Sequence, residues 1–262
     1  MHQGFDFSGK TVFVAGGTSG INLAIAEGFA KAGAKVGVVS RSQDKVDAAV
    51  EKLKAHGAEA AGRSVDVRKP DELGGFIGEL AEELGKFDVI VSGAAGNFPA
   101  PALGMSSNGF KSVVDIDLLG TFNVLRHGFQ HLNTPGASVI NISAPQAWVP
   151  TVMQAHVCAA KAGVDMLTKT LAMEWGQLGV RVNSISPGPI GDTEGMKRLA
   201  PTPEMQEHTR KSVPLGRFGT GEDIAQAALF LASPLASYVT GIVMPVDGGW
   251  SLGGSSGWLP SA

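Results

Sequence analysis

The sequence predicts an α/β fold in which one parallel β-sheet carries helices on both faces. Short β-branched runs alternate with longer segments of helical periodicity along the 262-residue chain, which is the pattern of repeated βαβ units. Several short runs, such as Val-Phe-Val and Val-Ile-Val, are apolar at consecutive positions, as expected of strands buried on both faces. No linker divides the chain, so we expect a single domain.

The alternation resolves into seven strands and six helices. The predicted strands are Thr11–Ala15, Lys35–Ser40, Glu59–Asp66, Phe87–Ser92, Ala137–Ser143, Val180–Ser186 and Gly241–Val246. The predicted helices are Leu23–Ala32, Asp44–His56, Pro70–Leu84, Gly109–Gln130, Ala155–Leu178 and Gly221–Leu231. Asp44 and Asp71 suit helix N-termini, where a carboxylate meets the positive end of the dipole, and Gly33 and Gly57 suit helix C-termini. Together these elements predict one doubly wound, seven-stranded parallel sheet.

Composition narrows the classes of protein and of partner. Hydrophobic residues make up 44% of the chain and charged residues 17%, which suits a folded domain with a large core. The net charge of −3 gives no reason to expect nucleic acid or an anionic membrane as a partner. We expect no bound metal.

Several absences favour a location in the cytoplasm. The single cysteine, Cys158, cannot form an internal disulfide, which suits a reducing compartment. No apolar run is long enough to cross a bilayer, and the first residues lack the basic and apolar regions of a signal peptide. Residues 259–262 match neither a peroxisomal nor a retention address.

The most irregular segment is 187–213, which is rich in Gly, Pro, Thr and Met. A loop-plus-helix excursion after a strand end is where a substrate lid would lie. The alternative is an ordinary surface excursion.

A glycine-rich turn joins the first predicted strand to the first predicted helix and reads Ala15-Gly16-Gly17-Thr18-Ser19-Gly20-Ile21-Asn22. Glycines at this point let the chain turn sharply and let backbone N–H groups approach a pyrophosphate at the helix N-terminus. The turn therefore predicts a dinucleotide-binding Rossmann fold.

The end of the second predicted strand indicates which dinucleotide binds. A protein that binds NAD would place a carboxylate here to hold the ribose hydroxyls, whereas this chain has Ser40 and Arg41. A hydroxyl and a guanidinium suit the 2′-phosphate of NADP(H). The alternative is that Arg41 is a solvated surface arginine.

The glycine spacing resembles that of the short-chain dehydrogenases/reductases, with Ala15 and Asn22 as departures from the family pattern. Further matching landmarks follow in order along nearly the whole chain: Asp66-Val67, Ala94-Ala95-Gly96, Pro187-Gly188-Pro189-Ile190 and Asp247-Gly248-Gly249. The resemblance implies one NADP-binding domain over residues 1–262. It implies cofactor contacts from Gly16, Thr18, Ser19, Gly20, Ile21, Ser40, Arg41, Asp66, Val67, Ala94, Ala95, Gly96, Lys161, Pro187, Gly188, Ile190 and Thr193.

The sequence departs from this family at the catalytic positions. Most members carry Tyr-x-x-x-Lys on the helix after the fifth strand and a serine upstream of it. Here Lys161 is present, but the tyrosine position is Val157 and the serine position is Ala144. The one tyrosine of the chain, Tyr238, is far away in sequence. Either the catalytic groups were lost, or the reaction does not need a phenol.

Within the family, the chain resembles the 2,4-dienoyl-CoA reductases, particularly the peroxisomal type. The matching stretches are 94–98, 115–117, 120–123, 160–165, 187–190 and 193–195, and the residues at 144 and 157 belong to the same pattern. In that family, hydride from NADPH adds to a conjugated dienoyl thioester, charge moves to the thioester oxygen, and a proton then arrives at carbon. Such a reaction needs hydrogen-bond donors around an oxyanion and a positioned water.

The resemblance implies four catalytic residues. Lys161 would hold the ribose and supply positive charge, and Asp165 would orient Lys161 or a water. Asn97 would help to hold the thioester oxygen, and Asp117 occupies a proton-relay position. Because Lys161 and Asp165 are four residues apart on one predicted helix face, a structural ion pair between them is the alternative. For Asp117 the alternative is a polar core residue that bends its helix.

The resemblance also implies four residues near the substrate. Arg68, Phe98 and Ser106 match positions along the CoA and acyl path, and His156 lies close to the catalytic positions in sequence. The alternatives are a solvated arginine at Arg68 and a structural histidine at His156.

The resemblance thus implies an NADP-dependent oxidoreductase acting on a CH–CH pair in fatty acid metabolism, with an acyl-CoA as a candidate substrate. The alternatives are a reductase of another carbonyl substrate and an NADP-binding protein without turnover. Family analogy predicts a homotetramer, and the apolar stretch around Trp250, Leu252 and Trp258 would suit a subunit contact.

Overall fold

The structure, a computed structural model, describes residues 5–191 and 193–255. Within these ranges seven parallel strands form one sheet in the order β3-β2-β1-β4-β5-β6-β7. The strands are β1 (Thr11–Ala15), β2 (Lys35–Ser40), β3 (Ala60–Ser64), β4 (Val89–Ser92), β5 (Ser138–Ile142), β6 (Arg181–Pro187) and β7 (Val243–Val246). The predicted doubly wound, seven-stranded parallel sheet is confirmed.

Helices cover both faces of the sheet. They are α1 (Gly20–Lys31), α2 (Gln43–Ala55), α3 (Pro70–Leu84), α4 (Ser107–Val114), α5 (Gly120–Gly128), α6 (Ala155–Gly176), α7 (Glu194–Leu199), α8 (Pro203–Ser212) and α9 (Gly221–Ala232). No helix within the described ranges is long and apolar enough to span a membrane.

Two hydrophobic cores explain why the strands are apolar at consecutive positions. Val12 and Val14 of β1 belong to the core beneath α1, α2 and α9. Phe13 and Ala15 point the other way, into the core beneath α3, α5 and α6. Since successive strand residues face opposite sides of a sheet, a strand covered on both faces has no position for a solvated side chain.

The predicted helix Gly109–Gln130 is interrupted, which corrects that prediction. α4 and α5 are separated by a π-helical segment, Asp115–Leu119. The side chain of Asp117 in this segment is almost fully buried, and the hydroxyl of Thr121 donates to the carbonyl oxygen of Asp117 at 2.7 Å. A π segment shifts the helical register locally, and here it accompanies a carboxylate that points into the protein.

Asn22 fills the place where the family pattern expects a glycine. The carboxamide Nδ2 of Asn22 donates to the carbonyl oxygen of Gly93, just after β4, at 2.7 Å. A Cβ at Gly93 would lie 2.1 Å from Asn22 Oδ1. The glycine that allows close packing at this contact is therefore Gly93, just after β4, and not the residue on α1.

We predict that Gly93→Ala lowers the free energy of unfolding by about 1–3 kcal/mol, because a methyl group is forced against a buried carboxamide. The same substitution should cost much less in an Asn22→Ala background, which makes room for the methyl group. Denaturant unfolding of the four proteins measures the coupling. Strictly additive effects would show that Asn22 and Gly93 do not depend on each other.

Candidate active site

A cleft of about 820 Å³ opens at the carboxyl ends of the strands. Its walls come from the segments that follow β1, β2, β3 and β4 on one side and β5 and β6 on the other. The order of the strands along the chain reverses direction between β1 and β4, and the cleft lies across this switch point. Open parallel sheets bind ligands at such a point.

Every residue predicted to contact the cofactor lines this cleft. Gly16 and Gly20 have φ angles of 79° and 54°, a region that favours glycine. Ser19 precedes α1 without a side-chain capping bond, and the first turn of α1 carries no acidic residue. Neither a side-chain cap nor a carboxylate in the first turn thus competes with a phosphate for the N–H groups at this helix start. These features fit a dinucleotide.

A cationic corner lies where the cleft passes the end of β2. The exposed side chain of Arg41 lines it beside Ser40, and so does Lys45 on the first turns of α2. Lys45 was not among the predicted residues. No local pattern distinguishes Lys45 from the other lysines of α2.

Arg68 does not line the cleft. Its guanidinium makes a two-pronged ion pair with the carboxylate of Asp66, with Nε to Oδ1 at 3.0 Å and Nη2 to Oδ2 at 2.5 Å. This hydrogen-bonded ion pair holds the pKa of Asp66 below its usual value. Arg68 is partly exposed and held by Asp66. It is therefore not a fully solvated arginine, and it is not part of the cleft wall.

Lys161 and Asp117 form a buried ion pair at the inner end of the cleft. Lys161 Nζ lies 3.2 Å from Asp117 Oδ2 and donates to the carbonyl oxygen of Ile142, at the end of β5, at 3.0 Å. Asp117 Oδ1 accepts from the backbone N–H of Gly96 at 2.7 Å. Lys161 therefore pairs with Asp117, and the structure shows no ion pair between Lys161 and Asp165.

Three further predicted residues occupy different surroundings. Asn97 lines the cleft, and its buried Oδ1 has no hydrogen-bond partner among the described residues. His156 is fully buried behind the cleft wall, with its ring 4.5 Å from that of Phe98 between centroids. Phe98 is partly exposed and does not line the cleft.

Ser106 has a structural contact instead of a position in the cleft. Its Oγ accepts from the N–H of Gly109 at 3.0 Å and so caps α4. It also borders a separate cavity of about 360 Å³ together with Met105 and Phe110.

The segment predicted as a lid contains α7 and α8. Met196, Leu199 and Thr209 from this segment line the cleft. The segment therefore forms part of the wall, while its movement as a lid stays a prediction.

Comparisons with known proteins agree with this architecture. A family model described as Enoyl-(Acyl carrier protein) reductase matches residues 15–251. The chain is 45% identical over 242 residues to a peroxisomal 2,4-dienoyl-CoA reductase of Rattus norvegicus, which covers 92% of this chain and 83% of the relative. The chain belongs to the short-chain dehydrogenase/reductase family.

Two bacterial relatives extend the comparison within the short-chain dehydrogenases/reductases. A probable 2,4-dienoyl-CoA reductase of Bacillus subtilis is 37% identical over 243 residues, covering 92% of this chain and 96% of the relative. A crystal structure of a short-chain dehydrogenase from Bacillus anthracis has a TM-score of 0.85 at 39% identity and covers 92% of this chain and 96% of that one. The chain is an oxidoreductase of this family, similar to the 2,4-dienoyl-CoA reductases, and its fold implies a nicotinamide dinucleotide cofactor.

The cleft wall beside Lys161 in this short-chain dehydrogenase/reductase combines two apolar residues, at the family's tyrosine and serine positions, with glutamine side chains. Val157 and Ala144 line the cleft there, while Tyr238 lies on the surface, fully exposed. The same wall includes Gln146, whose Nε2 donates to Oε1 of the buried Gln154 at 3.1 Å. Neither glutamine was predicted, since nothing in the local pattern distinguishes them from surface amides.

Asp165 lies behind the cleft wall. Its side chain is 8% exposed, it does not line the cleft, and burial raises its pKa. The hydroxyl of Ser143 acts in the opposite direction on the pKa, as do the charges of Lys169 and Lys161. Ser143 lines the cleft and was not among the predicted residues, although it adjoins Ala144, which stands at the serine position of the family pattern.

We predict that Asp165→Asn stabilises the fold at neutral pH. Because the folded-state pKa of Asp165 lies above its ordinary value of 3.8, the wild-type carboxyl contributes most to stability below that pH, where folded and unfolded states both hold the proton. This contribution is lost as the pH rises through the folded-state pKa.

The difference in unfolding free energy between Asp165→Asn and wild type should thus be smallest in acid and reach a plateau above the folded-state pKa. Denaturant unfolding over a series of pH values measures it. A difference that does not change with pH would contradict the raised pKa.

Proposed function

We propose that this protein is an NADPH-dependent reductase of conjugated dienoyl thioesters that works without the usual serine and tyrosine pair. The observation that carries the proposal is the composition of the wall around Lys161. A buried Lys161–Asp117 pair and Asn97 line the same cleft, and the positions where a phenol and a hydroxyl would be expected are Val157 and Ala144.

The cofactor would be held by the glycine turn, the start of α1 and the cationic corner. When bound, it supplies a hydride to the substrate. Lys161 contributes positive charge at the inner end of the cleft, and its position is set by Asp117 and the carbonyl oxygen of Ile142.

Charge that develops on a thioester oxygen requires hydrogen-bond donors placed in advance. Asn97 and Gln146 supply amide N–H groups in the cleft wall, and the buried Gln154 orients Gln146. A hydride acceptor of this kind needs no acid on a carbonyl oxygen, so Val157 is compatible with turnover. The same wall would serve a simple ketone poorly, since a ketone must be protonated on oxygen.

Reduction of another carbonyl with His156 as the acid is disfavoured. His156 is fully buried and packs against Phe98 behind the cleft wall, so its ring nitrogens do not border the cleft. The alternative of a protein without turnover is tested by the assay below.

The preference for NADPH rests on Ser40, Arg41 and Lys45, because two cations and a hydroxyl match a 2′-phosphate. We predict that Arg41→Asp weakens NADPH binding about tenfold or more while leaving NADH binding nearly unchanged. Dissociation constants from fluorescence titration check this. The matched control is Lys52→Asp, the same change of charge at a position on α2 that does not line the cleft. Equal losses for both dinucleotides would contradict the phosphate role.

The function itself is tested by NADPH oxidation with a 2,4-dienoyl-CoA, beside a simple ketone and a reaction without substrate. We expect consumption of NADPH with the dienoyl-CoA alone, and we expect Asn97→Ala to lower kcat. No consumption by a protein that binds NADPH tightly would contradict the proposal.

The position of the double bond in the product is to be determined in the same assay by NMR. The names of the Rattus norvegicus and Bacillus subtilis relatives give (3E)-enoyl-CoA and (2E)-enoyl-CoA as their respective products. A place in fatty acid metabolism belongs to the same proposal.

A homotetramer and a location in the cytoplasm remain predictions. Leu252 is 78% exposed, as a subunit contact would require, and Trp250 is partly buried. Trp258 lies outside the described residues. The Rattus norvegicus relative is named a peroxisomal enzyme.

A further inference from the structure

A tight turn follows β7 and leads the chain from the sheet to Trp250. The carboxylate of Asp247 builds this turn, because its Oδ1 accepts from the N–H of Gly249 at 2.8 Å and its Oδ2 accepts from the N–H of Ser251 at 3.0 Å. Gly248 and Gly249 have φ angles of 63° and 86°, a region that favours glycine. The direction in which the chain leaves the turn is therefore set by local hydrogen bonds.

The turn is packed against two neighbouring segments. A Cβ at Gly188 would lie 2.5 Å from the Cα of Asp247, so the turn contacts the loop after β6, where cofactor contacts are predicted. On its other side, a Cβ at Gly248 would lie 2.7 Å from Cγ1 of Val213. The carbonyl oxygen of Gly248 also accepts from the N–H of Leu215 at 3.2 Å. The turn thus lies between the loop after β6 and the chain that leaves α8.

Trp250 extends this contact into α8 itself. Its indole Nε1 donates to Oγ of Ser212, the last residue of α8, at 3.1 Å. The hydroxyl of Ser212 donates in turn to the carbonyl oxygen of Thr209, one turn earlier, at 2.7 Å. An indole N–H can only donate, whereas a hydroxyl can donate and accept at the same time. Two consecutive hydrogen bonds therefore join Trp250 to the last turn of α8.

Both ends of this pair of hydrogen bonds lie in the wall of the cleft. Trp250 and Thr209 line the cleft, together with Met196 and Leu199 from the α7 part of the same wall. Trp250, which was predicted to suit a subunit contact, is partly buried. The indole thus connects two parts of the cleft wall that are far apart in sequence.

α8 depends on such contacts because it buries little of its own surface. All of its residues are described, and none of them is buried. Among the described residues, its other side-chain hydrogen bonds are local, such as those from Gln206 to the carbonyl oxygen of Ala200 and from Arg210 to that of Gly216. A helix with few buried contacts opens at a low cost in free energy. The bond to Trp250 is therefore a large share of what holds α8 in place.

We propose that Trp250 is a positioning residue, which holds the end of α8 through Ser212 and so fixes the α7–α8 side of the cleft beside a bound dinucleotide. Loss of the bond frees the end of α8 and lets the dinucleotide leave the cleft faster. The dinucleotide is the only ligand that this role requires, and it follows from the fold. The role is therefore independent of whether the protein reduces a dienoyl thioester.

The contact is tested first without any ligand, by backbone hydrogen exchange of the whole chain followed by mass spectrometry. Trp250→Phe keeps an aromatic ring and removes the donor, and Ser212→Ala removes the acceptor. Each should accelerate exchange in α8 about three- to tenfold, which corresponds to one hydrogen bond, and leave exchange in α1 unchanged. The double variant should be no faster than either single variant, because both remove the same bond.

The matched control is Trp148→Phe. Trp148 is also partly exposed, at 43%, and does not line the cleft. The same substitution there should leave exchange in α8 at the wild-type rate.

The effect on the cleft is tested second, by the rate at which NADPH dissociates in a stopped-flow displacement experiment. Trp250→Phe and Ser212→Ala should raise the dissociation rate constant by the same factor by which they accelerate exchange in α8, since both rates then depend on the same opening. Trp148→Phe should dissociate like the wild type. The free energy of unfolding should change little in all three variants, because α8 buries no residue.

Unchanged exchange in α8, or additive acceleration in the double variant, would overturn the contact. Faster exchange in α8 with unchanged dissociation of NADPH would overturn the positioning role, and so would faster exchange along the whole chain. If Trp250→Phe instead lowers the sedimentation coefficient and leaves exchange in α8 unchanged, Trp250 is a subunit contact and the proposal is wrong. Failure to reduce a dienoyl-CoA contradicts only the proposed function and changes none of these outcomes.

Discussion

The ion pair between Lys161 and Asp117 is the interaction on which the inner end of the cleft depends. Removing two charges from water is costly, and the cost is offset only when both charges are paired and hydrogen-bonded. Here Asp117 also accepts from Gly96 N–H, and Lys161 also donates to Ile142 C=O. The pair thereby joins the loop after β4, the π segment, α6 and the end of β5.

The π segment explains how a helix packed on one face of the sheet can direct a buried carboxylate into the cleft. Asp117 lies in the π segment and is 1% exposed. The hydroxyl of Thr121 donates to the carbonyl oxygen of Asp117 and accepts from the hydroxyl of Ser92 in β4. The irregular turn is thus tied to the strand that precedes the Gly96 loop. The π segment therefore sets the position of Asp117, the partner of Lys161.

The sequence predicted the sheet well because its signals are local. Each of these signals can be recognised within a few residues of the sequence. They are the runs of consecutive apolar residues and the glycine turn between the first strand and the first helix. The interruption of Gly109–Gln130 was missed because it depends on contacts of Asp117 with Gly96 and Lys161, which are distant in sequence.

The site was predicted in part for the same reason. Helical spacing suggested Asp165 as the structural partner of Lys161, but tertiary packing brings Asp117 to the lysine instead. Lys45 and Ser143 were missed because each is recognisable only by the cleft it lines. Asp165 lies behind the cleft wall, where burial raises its pKa.

The central claim is that Asp117 and Lys161 act as a unit, and a double-mutant cycle tests it most directly. Unfolding free energies of the wild type, Asp117→Asn, Lys161→Met and the double variant are measured by denaturant titration. The account predicts that each single substitution is destabilising and that the double variant is more stable than their sum implies, by about 1–3 kcal/mol. Additive losses would contradict it, since they would mean that neither side chain depends on the other.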